Sequence, residues 1–203
     1  MTKSVDSVPA GQDVALSWSG VQGPNGLSIH YSIKSQSKAD IWVLDRLWKL
    51  SSNRPVPDEE AIYRFERGGA LRLLLGAAPL PRRHTVTFRV MPHARRLAAG
   101  ATLEGDVTIA MPVTEYSVYF DGTPPTFESK HVDRVYLLVQ YVLAGPDIEA
   151  ENAEESPGAL KLPSIALAHA KVIVSEQSLS LDVRRRTDQF DRVTLPGEPP
   201  EPL

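Results

Sequence analysis

Five histidines are the first candidates for chemistry in this chain: His30, His84, His93, His131 and His169. None stands in a His-x-His, His-x-x-x-His or His-Glu-x-x-His spacing, so no local motif gathers two of them around a metal. Met91-Pro92-His93 together with Met111 is a set of thioethers and an imidazole that would suit Cu(I). The plainer account is that Met91 ends a core strand and His93 caps a loop. His131 beside Asp133, and Asp121 in Asp121-Gly-Thr-Pro-Pro125, would suit acid–base work, although a strand start and a turn explain them equally well. No Gly-x-Ser-x-Gly elbow marks a nucleophile. Neither a Gly-x-Gly-x-x-Gly nor a Gly-x-x-x-x-Gly-Lys-Ser/Thr run marks a nucleotide site. The absence of cysteine removes disulfides, thiolate zinc, iron–sulfur clusters and cysteine nucleophiles together. No catalytic residue, cofactor or metal is therefore assigned, and His93, Met91 and Met111 stand as the weak metal candidates.

Charge gives a second set of candidates. Arg184-Arg185-Arg186, Arg82-Arg83 and Arg95-Arg96 are short basic points beside loops, where solvation is the bland reading; the triplet would also suit a phosphate or an acidic partner. The acidic run within 147–155 lacks the Asp-x-Asp-x-Asp-Gly order of a calcium loop and reads as solvated. A net charge of −3 and a pI near 6.0 argue against a nucleic-acid partner. Arginine (15) outnumbers lysine (7), which reads as compositional bias. No apolar run approaches the ~18 residues of a membrane span, so no membrane insertion is expected. The opening residues have no apolar signal core, and the expectation is a soluble, cytoplasmic protein.

The elements that would position these residues read mostly as strands. Leu27, Ile29, Tyr31 and Ile33 alternate with Ser28, His30, Ser32 and Lys34, a half-buried strand; a polar break over 35–40 leads to a second strand at 41–44. Further strands are expected over 14–18, 61–66, 70–75, 84–90, 102–109, 115–120, 132–142, 165–174 and 179–183. Arg67-Gly68-Gly69 is a hairpin turn. Pro55 and Pro57 exclude regular structure over 51–58, and 94–100 is a helical turn or a loop. Ile29, Tyr31, Ile33, Phe88, Val107 and Val139 are the expected core.

With 203 residues, one domain is expected. Residues 1–12 form a lead-in. Residues 13–183 form an antiparallel β-sandwich, immunoglobulin-like in flavour, with a mobile acidic loop over 145–161. Residues 184–203 form a charged, then proline-rich, disordered or extended tail. The order strand, Ser35-Gln36-Ser37, strand, then Leu97 to Gly105 resembles many bacterial accessory sandwich domains, intracellular proteinase inhibitors among them, and the pattern transfers no functional residue. The expected function is a non-enzymatic protein-binding or assembly module, its partner another protein or another copy of itself. Its surfaces would be Pro55 and Pro57 in the loop 51–60, Asp121 in the turn 121–126, the Arg184–Arg186 triplet, and an edge strand open to strand addition. The rival reading is a His/Met copper carrier or, further off, a hydrolase.

Overall fold

The structure, a computed structural model, describes residues 13–24, 26–52, 54–58, 60–81, 90–120, 124–146, 148–154, 156–188 and 193–197. In chain order the strands are β1 (Val14–Gly23), β2 (Gly26–Ser35), β3 (Ile41–Arg46), β4 (Trp48–Ser51), β5 (Arg54–Pro57), β6 (Tyr63–Arg67) and β7 (Ala70–Leu75). Then come β8 (His93–Leu97), β9 (Thr102–Ile109), β10 (Val113–Thr114), β11 (Phe127–Leu143), β12 (Glu151–Asn152), β13 (Leu160–Lys161), a 3-10 turn (Ser164–His169) and β14 (Lys171–Arg186).

The alternating stretch around Tyr31 builds a small sheet in the order β1-β2-β9, antiparallel throughout. At its hairpin, Gly26 has φ 132° and a Cβ there would meet the Ile109 carbonyl oxygen at 2.2 Å, so only glycine fits. The chain then leaves this sheet. The polar residues 36–40 carry it to β3, which lies in the large sheet of order β10-β14-β11-β3-β8-β13-β12.

The large sheet is built on β11, whose near-continuous apolar run suits a strand covered on both faces. One flank pairs with β14 along almost the whole length. The other flank serves different strands in turn: β7 runs parallel beside 134–139, and β3 runs antiparallel beside 141–143. Beside 127–133 that flank has no strand among the described residues.

The two sheets share one apolar cluster. Leu27, Ile29, Tyr31, Ile33, Val107 and Ile109 from the small sheet meet Leu71, Leu73, Leu75, Val135, Leu137, Val139, Leu181 and Val183 from the large one. Tyr63, Phe65, Leu74 and Leu138 form a second cluster, covered by Tyr116, Val118, Tyr119, Phe120, Val193 and Leu195. A polar pin crosses between the sheets. Tyr31 Oη donates to Asp45 at 2.8 Å, Arg95 grips the same carboxylate from β8, and Arg95 Nη1 donates to the Glu104 carbonyl oxygen of β9 at 2.9 Å. The pin needs Gly105, because a Cβ there would lie 2.3 Å from the Tyr31 ring.

The fold is all-β, and five expected core residues, Ile29, Tyr31, Ile33, Val107 and Val139, are buried. Phe88 and the strand expected over 84–90 lie outside the described residues apart from Val90. Several local expectations are corrected. Pairing is mixed, since β7–β11 and β10–β14 are parallel. Residues 93–97 form strand β8, antiparallel to β3. Residues 165–169 lie in a 3-10 turn, and the last strand is a single long β14 that absorbs Arg184, Arg185 and Arg186 from the expected tail. Only a two-residue strand, Val113–Thr114, stands near the one expected over 115–120. Residues 151–152 and 160–161 pair as a short ribbon within the acidic loop.

Residues 48–57 form a β4–β5 ribbon that belongs to neither large element of the fold. Asp58 N–H bonds to the Leu47 carbonyl oxygen, which makes Leu47/Asp58 a hydrogen-bonded pair. Alternation from there places Pro57 opposite Trp48 and Pro55 opposite Leu50 at non-hydrogen-bonded positions, where a missing N–H costs the ribbon nothing. The two prolines therefore permit this strand, against the sequence-based expectation.

Candidate functional site

The unpartnered flank of β11 is where charged side chains converge. Thr187 N–H bonds to the Thr126 carbonyl oxygen, and alternation from that pair turns the N–H and C=O of Phe127, Ser129 and His131 away from β14. On that flank, His131 borders a groove of about 420 Å³ lined also by Glu66, Arg67, Gly68, Gly69, Lys130 and Arg185. The groove exists because β7 begins opposite Arg134, so the Gly68–Gly69 turn stops short of the first residues of β11. Gly68 and Gly69 have φ of 56° and 73°, the left-handed backbone that this tight hairpin demands.

The groove is cationic and internally braced. Arg185 lies 3.5 Å from Glu66 and 3.6 Å from Glu128, and Lys130 lies 3.4 Å from Glu128. Glu66 is nearly buried and also accepts the Gly69 N–H at 2.9 Å, which fixes the turn. Glu115 holds the neighbouring strands in place: its carboxylate accepts the Glu66 N–H at 2.6 Å and the Arg186 N–H at 2.8 Å. Burial pushes the Glu115 carboxyl up, against the pull of those two donors.

At the rim, where His131 stands opposite Asp182 beside a register shift between Val132 and Arg134, four polar side chains meet. His131 Nδ1 lies 2.9 Å from Asp182, and Nε2 lies 3.0 Å from Ser180 Oγ and 3.3 Å from Asp133. The order Ser180–His131–Asp182 is that of a nucleophilic triad. Its electrostatics run the other way. A carboxylate at each ring nitrogen favours the imidazolium, and the hydrogen bond to Asp182, aided by Asp133, raises the His131 pKa. In the imidazolium form that these contacts favour, His131 donates to Ser180 Oγ. The ring is also exposed to water, where a developing oxyanion gains little. The two aspartates lie on opposite ring nitrogens, so they do not converge on one ion, and no group of three His, Asp or Glu among the described residues is arranged to hold a metal.

The other sequence candidates are dispersed. His93 is buried and stacks on Trp48, whose indole N–H donates to the Met91 carbonyl oxygen. Met111 is exposed beyond β9. His30 pairs with Asp106 at 2.9 Å on the face of β2, and His169 ends the 3-10 turn. Pro55 and Pro57 lie in β5, while Asp121 and His84 lie outside the described residues. Of the triplet, Arg185 enters the groove, Arg184 lies over the Phe127 ring at 4.3 Å, and Arg186 binds Asp188 and lies over Phe120 at 4.9 Å. Sequence reasoning missed Ser180 and Asp182, because only the pairing of β14 with β11, which sets Asp182 opposite His131, brings them to that ring. No protein-family model matches the chain, and neither the curated proteins nor the solved structures yield a match.

Proposed function

We propose that the protein is a non-enzymatic binding or assembly module, and that the groove beside the start of β11 takes an acidic, extended stretch of a partner protein. One observation carries this. The groove joins outward-facing strand backbone at His131, continued along the same flank at Ser129, to the cations Arg67, Lys130 and Arg185, a combination that recognises main chain and carboxylates together. A second copy is among the possible partners, since Glu149, Glu151 and Glu154 form such an acidic stretch. The architectural part of the proposal is a two-layer β-sandwich, immunoglobulin-like in flavour, supported by the cluster that the two sheets share.

The test is capture of partners from native extract, with light scattering for self-association, by the unaltered chain and by a Lys130→Glu/Arg185→Glu variant. Capture that is lost in the variant and weakened by salt supports the reading; equal capture by both removes the groove from it. The order of atoms at Ser180 supports a second reading, a hydrolase. A serine-directed fluorophosphonate that labels the chain, and fails to label Ser180→Ala, would establish that reading in place of the first.

A further inference from the structure

β9 carries a second unpaired edge, on the other sheet. Ser35 N–H bonds to the Ala101 carbonyl oxygen at 2.9 Å, and alternation from that pair turns the N–H and C=O of Thr102, Glu104, Asp106 and Thr108 away from β2. The bond from Arg95 Nη1 to the Glu104 carbonyl oxygen fixes the same direction independently. Among the described residues β9 pairs with β2 alone, so the Glu104 N–H and both backbone groups of Asp106 and Thr108 meet no strand. The far flank of the same sheet differs. There Trp18 Nε1 donates to the Ser175 carbonyl oxygen at 3.3 Å, Gln22 Nε2 donates to that of Ser180 at 2.8 Å, and Gln177 returns a bond to Trp18. Side chains thus close β1 against β14 and leave most of the β9 edge open.

The side chains of β9 define what fits there. Its outer face carries Glu104 and Asp106, both exposed, flanked by Thr102 and Thr108. Its inner face carries Leu103, Val107 and Ile109 at the margin of the core. A strand laid alongside sets its own alternate residues next to these two rows. Cations match the outer row and apolar side chains extend the inner one. The β9 edge of a second copy is the wrong occupant: β9 against β9 would set Glu104 and Asp106 against the same acids, and like charges opposite one another are destabilising. The prolines of β5 likewise deny that strand the outward N–H groups it would need.

We infer that the β9 edge accepts, by strand addition, an extended segment of another protein that alternates lysine or arginine with apolar residues. The surface is separate from the groove, so either can fail without the other. The probes are short peptides alternating lysine with valine, and a control alternating glutamate with valine, added to the full chain. The lysine peptide is expected to slow amide hydrogen exchange at Asp106 and Thr108; the glutamate peptide is not. Thr108→Pro deletes an outward N–H that no β2 residue uses and should weaken binding about tenfold. Glu104→Lys/Asp106→Lys alters exposed side chains only and should weaken it at least as much. Circular dichroism shows whether each variant is folded, and the charge variant decides if Thr108→Pro is not. Failure of the lysine peptide to bind overturns the inference. So does binding undiminished in the folded variants, or protection appearing at Ser129 and His131 instead.

Discussion

At the scale of residues, arginine does work that lysine would not. Arg95 forks onto Asp45, Arg64 reaches Glu60 and lies over Tyr116, and Arg72 lies 3.8 Å above the Tyr136 ring. Arg184 and Arg186 cover phenylalanines in the same way. Planar guanidinium suits both bidentate and stacked contacts, so part of the arginine excess is structural. The Asp45 carboxylate is wholly buried, and Tyr31 and Arg95 both spend hydrogen bonds on it. Asp45→Ala is expected to cost about 3–5 kcal/mol in urea unfolding, because it strands a partly buried cation. A loss below about 1 kcal/mol would mean that water replaces the carboxylate there. His131 gives a prediction of direction. Its proton resonances should titrate above the ordinary histidine value, and Asp182→Asn should bring the titration down. Since the charged form is the one stabilised, the contribution of that pair to the fold is complete below the ordinary histidine pKa and fades as pH rises through the raised one. Acidic partners of the groove should accordingly bind more weakly as pH rises through the same window.

At the scale of elements, period-2 alternation made β2 and β9 legible, the Gly68–Gly69 turn marked the β6–β7 hairpin, and the apolar run made β11 legible as a covered strand. Other elements were decided by pairing, which no local window contains. Pro55 and Pro57 look like breakers until the register places them on the outward side of a two-stranded ribbon. Arg95 and Arg96 look like a loop until β3 supplies the opposite strand. The groove was half visible: the Arg triplet and His131 drew attention, while Lys130, Arg67 and the Gly68–Gly69 turn join them only because β7 starts late. Glu115 illustrates the same dependence, for its carboxylate links β6 to β14 from outside either strand. Glu115→Ala should cost about 2–4 kcal/mol by leaving two backbone N–H groups without an acceptor. The pH dependence has a definite sign. With its pKa raised in the fold, Glu115 takes up a proton before the unfolded chain does, so stability declines as pH climbs from the ordinary carboxylate value through the raised one. Glu115→Gln should flatten that slope in urea titrations across the acidic range; an unchanged slope would assign it to another carboxyl.

At the scale of the whole molecule, the large sheet needs cover on both faces, and the chain supplies the two covers differently. One face receives the β1-β2-β9 sheet, announced by its alternating pattern. Over Tyr63, Phe65, Leu74 and Leu138 the other face receives irregular chain, 116–120 and 193–195. Irregular cover has no period to read, so a charged and proline-rich stretch reads as a loose tail even though it includes Leu195, which is 1% exposed. Apolar area removed from water is worth the same whether a strand or a loop removes it. Leu195→Ala should therefore behave as a core truncation, costing about 2–4 kcal/mol. Ending the chain at Asp188 should cost at least as much and uncover the aromatic cluster, which a rise in binding of a hydrophobic dye would register. Thermal unfolding of the two variants beside the full chain separates the alternatives. If both melt with the full chain and bind no more dye, residues 193–195 lie on the surface of the fold without supporting it; a lower melting temperature for each makes them the outer layer of its second core.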